Sequence, residues 1–189
     1  VMNVSRLSDF CVDIPAIKRA VAGETQTKLL FIASPNNPDG GVLSDNALRR
    51  LLQLPIIVIL DEAYVEFHGE SRAKWVEEHA NLIVLRTFSK WAGLAGLRVG
   101  YGIFPKEIIT HLWKIKQPYN VNVAAKTAAL TSLHDLERLR QNVTKIIAER
   151  ERLYQKLTKF EFLQPYPSQV RFILWVVTEH FASLHGLNF

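Results

Sequence analysis

Short apolar runs alternate with amphipathic segments through the first hundred residues of the chain. The runs at 28–33, 56–60 and 82–85 are continuously apolar and of strand length, which is typical of strands buried on both faces of a parallel sheet. The segments 15–22 and 45–53 instead carry apolar residues at helical spacing. The alternation predicts an α/β fold, with a mostly parallel sheet and helices on both faces.

The later segments also have the periodicity of single elements. Acidic, amphipathic residues 71–79 predict a helix, and residues 99–104 predict a further strand. Three helices and one strand are predicted after that, at 107–116, 123–133, 136–160 and 170–177. A long charged helix often connects domains, so we expect a large domain at 1–135, and a bridging helix with the start of a small α+β domain at 136–189.

Composition and charge exclude several classes of function. The chain has 189 residues, 48% of them hydrophobic, as expected for a globular protein with a core. Its net charge of +5 is spread evenly, without the aromatic and basic motif of a nucleic-acid module. No apolar run approaches the roughly 18 residues of a membrane span. Cys11 is the only cysteine, which excludes an internal disulfide. We predict no nucleic-acid or membrane partner and no metal site.

Polar side chains follow the predicted strands. Asn37 lies in the Pro- and Gly-rich loop 34–41 after the first strand, while Asp61 closes the second and Tyr64 follows it. Because ligands bind at the carboxyl ends of the strands in such sheets, these side chains are candidates for a site. Each also has an ordinary role, as turn former, helix cap or core residue. An isolated charge closing a buried strand is costly, so we expect Asp61 to be paired.

The loop after the third strand presents one amine, that of Lys90. An amine beside an arginine and partly out of water favours its uncharged form, which can add to a carbonyl and form a Schiff base. Thr87, Ser89 and Arg98 are placed to converge on an anion. The ordinary alternative is a surface lysine that follows a strand.

Together these blocks resemble the aspartate-aminotransferase fold type of pyridoxal-phosphate enzymes, also called fold type I. The matching motifs are Asn37-Pro-Asp-Gly40, Asp61-Glu-Ala-Tyr64, and Ser89-Lys90 with Arg98 eight residues later. Within that fold type the chain is similar to the histidinol-phosphate aminotransferase family, through 34–40, 60–67, 85–90 and 116–122, and the segments 75–79 and 82–86 resemble its plant plastid branch. The similarity covers 1–178, and the tail 181–189 does not match.

The resemblance implies a cofactor, pyridoxal 5'-phosphate, and a role for each site residue. Lys90 would form the Schiff base and later move a proton, which makes it catalytic together with Asp61 and Tyr64. Asp61 would pair with the pyridinium nitrogen, while Tyr64 and Asn37 would hydrogen-bond the ring oxygen. The phosphate would be held by Thr87, Ser89 and Arg98, the last with its fork of donors.

The resemblance also implies an enzyme of histidine biosynthesis that transaminates histidinol phosphate with 2-oxoglutarate. It would be a homodimer in the plastid if plant-like, and otherwise in the cytoplasm. Another fold type I aminotransferase, a phospho-amino-acid decarboxylase and an inactive fragment that acts only as a dimer partner are the alternatives. The family's N-terminal segment and substrate arginine find no match, so we expect a chain truncated at both ends. Arg171 is not expected to replace that arginine, and we expect Trp91 to serve packing.

Overall fold

Four strands form the main sheet of the chain, whose computed structural model describes residues 1–24 and 26–178. Their spatial order follows the sequence: β1 (Leu29–Ala33), β2 (Ile57–Asp61), β3 (Leu82–Thr87) and β4 (Gly100–Ile103). The β1–β2 and β2–β3 pairs are parallel, and β4 lies antiparallel to β3. The predicted α/β class with a mostly parallel sheet is therefore confirmed. The continuous apolar runs identified the first three strands to within a few residues.

Helices fill most of the chain between and after these strands. Asp13 caps the first helix by accepting a hydrogen bond from the Ala16 N–H (2.8 Å), and Ser44 caps the second through Ala47 (3.2 Å), as expected for such residues. The helices are α1 (Ile14–Gly23), α2 (Asp45–Leu52), α3 (Val65–His68), α4 (Lys106–Ile115), α5 (Val123–His134) and α6 (Leu136–Leu157).

Two sequence-based predictions of elements are wrong in extent or type. The predicted helix at 71–79 is a 3₁₀ turn at Ala73–Glu77, whose N-terminal residue Arg72 gives no side-chain cap. Without a cap, and with Trp75 packed against the core, the segment does not continue as an α-helix. The predicted strand at 170–177 shortens to β6 (Trp175–Val177).

The main core lies on the sheet face covered by α1 and α2. Val58, Leu60 and Val84 point towards that face and are fully or nearly fully buried. The helices contribute buried side chains to the same cluster, among them Ile17, Leu48 and Leu51. On β1, side chains of the opposite face are open, since Leu29 is 49% and Phe31 68% exposed. The two faces of the edge strand β1 are therefore unequally covered.

A second, two-stranded sheet pairs β5 (Leu163–Pro165) with β6 in antiparallel fashion. The connection between them is anchored to α6, because the buried Arg150 donates to the Val170 carbonyl (2.9 Å). Val170 is fully buried in a cluster with Tyr64, Phe67 and Val143. The domain division at residues 135 and 136 stays a prediction, and the tail 181–189 lies outside the described residues. No helix in the described ranges is long and apolar enough to cross a membrane.

Candidate functional site

The register of the sheet places the ends of three strands side by side. Asp61, the last residue of β2, is opposite Ala33 of β1 and Leu85 of β3. Because β1, β2 and β3 are parallel, their carboxyl ends meet at one edge. The loops after them carry the predicted site residues, so these residues share one edge of the sheet.

Asp61 stands at this edge with one oxygen unengaged. Its Oδ1 accepts a hydrogen bond from the Ala63 N–H (2.9 Å), which fixes the turn after β2. Its other oxygen has no hydrogen-bond partner in the part of the chain that the structure describes. We expected a charge partner because the strand is buried, but Asp61 is exposed, and water can solvate it without a counter-charge. No charged partner of Asp61 occurs among the described residues, and the expected pairing stays a prediction.

Lys90, in the loop after β3, lies over the ring of Tyr64, in the turn after β2. The Lys90 Nζ lies 5.3 Å from the centroid of the Tyr64 ring, within the range of a cation–π contact. Tyr64 is 7% exposed, and its ring is held edge-on by Phe172 at 5.4 Å between centroids. Lys90 itself is partly buried, and among residues 1–24 and 26–178 no carboxylate pairs with it. The amine is thus directed to an aromatic face and remains available.

The loop around Lys90 is built on Thr87. Its Oγ1 accepts from the Ser89 N–H (3.1 Å) and donates to the Val99 carbonyl (3.4 Å), which joins the loop to the residue after Arg98. The Arg98 Nη1 donates to the Ala95 carbonyl (2.9 Å) within its own turn. Thr87 and Ser89 therefore lie together, whereas no contact between described residues brings the Arg98 guanidinium to either of them.

Trp91 closes the same loop from the other side. Its ring lies 5.7 Å from that of Phe88, in agreement with the expected packing role. Its indole N–H also donates to the Thr87 carbonyl (2.9 Å). This hydrogen bond spans the residue that carries the amine, so Trp91 helps to fix the turn at Lys90.

The loop that carries Asn37 is held by its own backbone. The Asn36 N–H donates to the Gly41 carbonyl (2.8 Å), and the Gly40 N–H donates to the Asn36 carbonyl (2.9 Å). Asn36 also donates its side-chain amide to the Asp39 carboxylate. Asn37 is exposed and its amide makes no hydrogen bond to a described residue. The loop is fixed while the Asn37 side chain remains free to meet a ligand.

Residues 168–172, which no sequence motif assigned to the site, contact all three loops. The Gln169 N–H donates to the Gly40 carbonyl (2.9 Å), Phe172 packs on Tyr64, and Arg171 Nη1 lies 3.5 Å from the Lys90 carbonyl. No short-range pattern marks this segment, because its partners lie far away in the sequence.

Behind the edge lies a set of charged side chains that the sequence analysis also did not include. Glu62 is 1% exposed, and the Arg86 Nη2 donates to Glu66 Oε1 (2.7 Å). Burial raises the pKa of the Glu66 carboxyl, and the hydrogen bond from Arg86 opposes that rise. Across the described ranges, no three His, Cys, Asp or Glu side chains are grouped to hold a metal ion.

Comparison with known proteins links nearly the whole chain to one family. The family described as Aminotransferase class I and II matches residues 1–184. The chloroplastic histidinol-phosphate aminotransferase of Nicotiana plumbaginifolia is 55% identical over 179 residues, which is 94% of this chain and 43% of that protein. The histidinol-phosphate aminotransferase of Roseiflexus castenholzii is 51% identical over 183 residues, or 97% and 49%. The chain spans about half the length of these curated relatives.

The fold of the chain is also similar to that of a solved aminotransferase. The crystal structure of histidinol-phosphate aminotransferase from Sinorhizobium meliloti, in complex with pyridoxal-5'-phosphate, superposes with a TM-score of 0.84. It is 26% identical in sequence and is matched over 98% of this chain and 54% of that one. The resemblance stated from the motifs is therefore confirmed by both sequence and fold.

Proposed function

This chain belongs to the aminotransferase class I and II family, and on that premise we propose that it carries the pyridoxal-phosphate site of a histidinol-phosphate aminotransferase. The whole protein would transaminate histidinol phosphate with 2-oxoglutarate in histidine biosynthesis. The observation that carries the proposal is the position of the Lys90 amine, which lies 5.3 Å from the Tyr64 ring in the loop after β3, the strand that pairs with the strand ending at Asp61.

The donor set at the sheet edge fits this cofactor. Its aldehyde needs an amine that no carboxylate engages, and Lys90 offers one among the described residues. Its ring nitrogen needs an anion, and Asp61 has a carboxylate oxygen without a hydrogen bond in the described part of the chain. Its phosphate needs hydroxyl and guanidinium donors, which Thr87, Ser89 and Arg98 carry.

The residues of this chain have distinct roles in that chemistry. When bound, pyridoxal phosphate supplies an aldehyde and an electron-accepting ring that stabilises negative charge on the adjacent carbon. Lys90 would hold the aldehyde carbon through Nζ until the substrate amine takes its place, and the freed Nζ would then carry the proton of the substrate carbon as base and acid. Asp61 would keep the ring nitrogen protonated. Tyr64 and Asn37 would donate hydrogen bonds to the ring oxygen.

Thr87 and Ser89 would supply two of the phosphate donors. Thr87 and Ser89 are joined by a hydrogen bond of 3.1 Å at the end of β3. Arg98 would exchange its hydrogen bond to the Ala95 carbonyl for the phosphate, because a charged acceptor gives the stronger bond.

We also propose that the whole protein is a homodimer. A run of exposed apolar side chains along α4, α5 and their connection supports an interface with a second copy: Trp113 (68% exposed), Ile115 (77%), Tyr119 (93%) and Val123 (81%). Contiguous exposed apolar surface of this kind marks interaction sites. The chloroplastic relative supports a plastid location, with the cytoplasm as the alternative because a bacterial relative also matches.

Two of the three alternatives differ in substrate or reaction rather than in the cofactor site. Another aminotransferase or a phospho-amino-acid decarboxylase could use the same Lys90 and Asp61. The names of the relatives favour histidinol phosphate as the substrate. An inactive dimer partner would keep the apolar surface of α4 and α5 without binding the cofactor.

Absorption spectroscopy of the purified chain with pyridoxal phosphate tests the proposal. We expect a visible absorption band that Lys90→Ala abolishes, and that the addition of histidinol phosphate, but not of phosphothreonine, depletes. Lys18→Ala is the matched control, since Lys18 is an exposed lysine of α1, which packs on the opposite face of the sheet from Asp61. A chain that gives no band, or a band that survives Lys90→Ala, would refute the cofactor site.

A further inference from the structure

The two faces of the sheet edge carry different chemistry. Side chains alternate between faces along a strand, so Asp61 and Thr87 lie on one face while Arg86 lies on the other. Glu62 continues the alternation just past β2, towards the face of the buried Leu60 and Val84. The proposed cofactor residues thus have charged neighbours directly behind them.

Glu62 is the most buried of these charged residues. Its carboxylate accepts hydrogen bonds from the Ser71 hydroxyl (2.6 Å) and the Arg72 backbone N–H (2.7 Å). Its own backbone N–H donates to the Leu85 carbonyl of β3 (2.9 Å). One residue therefore ties the turn after Asp61 to the next strand and to the chain at 71–72.

Arg86 ties the same turn to β3 a second time. Its Nη2 donates to Glu66 Oε1 (2.7 Å), and its Nη1 lies 3.7 Å from Glu62 Oε2. Glu66 belongs to α3, the short helix that begins immediately after Tyr64. The guanidinium accordingly bridges the strand that leads to Lys90 and the helix that follows Tyr64.

We propose that Glu62, Arg86 and Glu66 form a charged clamp that sets the position of Asp61 and Tyr64 relative to Lys90. The three are positioning residues, since none of them lies on the cofactor face. Their function in catalysis rests on the proposed function. A buried ion pair is often no more stabilising than apolar packing of the same volume, whereas its fixed geometry can specify one arrangement.

Hydrogen exchange of backbone amides, measured on the chain without cofactor, tests whether the clamp exists. In Glu62→Gln and Arg86→Gln we expect backbone amides at 61–66 and at 87–91 to exchange faster together, by about tenfold, the scale of one lost charge-assisted hydrogen bond. Arg72→Gln is the matched control. It removes a guanidinium that pairs with Asp45 (2.7 Å) and keeps the backbone hydrogen bond to Glu62.

Titration with pyridoxal phosphate then tests positioning as opposed to a general structural role. The clamp variants should bind about tenfold more weakly and shift the pH midpoint of the visible band, and Arg86→Lys should restore part of both. The Arg72→Gln variant should change neither, even where its melting temperature falls.

The outcomes separate the clamp from the site it is proposed to serve. The clamp is overturned if amide exchange becomes faster in only one of the segments 61–66 and 87–91. It is also overturned if exchange becomes equally fast in Arg72→Gln. If amide exchange becomes faster in both segments while the affinity for pyridoxal phosphate and the pH midpoint of the visible band stay unchanged, the positioning role is overturned. If the wild-type chain gives no band, the proposed function fails, and the exchange experiment still decides whether the clamp exists.

Discussion

Replacing Gly40 by alanine should separate the Asn37 loop from the segment 168–172. Gly40 has a φ of +75°, in the left-handed region, and a Cβ built on it would lie 2.3 Å from the Ser168 Oγ and 2.8 Å from its Cβ. The Gly40 carbonyl also accepts the hydrogen bond from Gln169. The substitution therefore acts at the contact between the two segments.

Two costs add in this variant. Alanine in the left-handed region costs about 1–2 kcal/mol, and the crowding against Ser168 costs about 1–3 kcal/mol, the range for overpacked sites. Gly40→Ala should then lower the free energy of unfolding by about 2–5 kcal/mol. Each kcal/mol corresponds to about 2–4 °C in melting temperature for a chain of this size.

Urea denaturation followed by circular dichroism measures the loss, and Gly69→Ala provides the control. Gly69 has a φ of +94° but nothing within 4 Å of its built Cβ, so alanine there carries the backbone cost alone. Ser168→Gly in the Gly40→Ala background should recover part of the crowding cost as a non-additive term. Equal losses in Gly40→Ala and Gly69→Ala would refute the close packing of the two segments.

Two further predictions concern the loop of the amine and the charges behind the edge. Trp91→Phe keeps the ring against Phe88 but removes the hydrogen bond to the Thr87 carbonyl, and should cost about 1 kcal/mol of unfolding free energy in urea titration; an unchanged midpoint would contradict this. Burial raises the pKa of Glu66 above its ordinary 4.5, so the folded chain binds that proton more tightly than the unfolded chain. Stability should therefore fall as the pH rises from 4.5 through the folded-state pKa. Glu66→Gln should flatten this slope in urea titrations at several pH values, and a steeper slope would show the opposite shift.

The fold was predictable where one local pattern determined one element. Unbroken apolar runs identified β1, β2 and β3, and the apolar spacing at 45–53 identified α2, because strand burial and helix amphipathicity depend on neighbouring residues. The segment 71–79 misled the prediction, since its apolar spacing suits a helix while packing of Trp75 and the lack of a cap favour a 3₁₀ turn. Periodicity alone does not distinguish the two.

The candidate site divided in the same way. The placement of Asp61, Tyr64 and Lys90 at one edge of the sheet was predictable, because each lies at or just after a strand end and these ends meet at one edge. The Phe172 ring on Tyr64 and the Gln169 bond to Gly40 were not, since they join residues that the chain brings together only after folding. Glu62 and Arg86 were not predicted for a different reason. Each is next in sequence to a candidate site residue, Asp61 or Thr87, and points to the opposite face of the sheet.

Strand β1 has a consequence for how this chain is handled. It forms an edge of the main sheet, and Leu29 and Phe31 leave one of its faces apolar and exposed. An edge of this kind is a template on which an extended peptide adds as another strand. Interaction screens and crystallisation trials with this chain will therefore select strand-adding peptides and lattice contacts at β1. A lysine at position 31 is the substitution that would suppress both without touching the residues around Lys90.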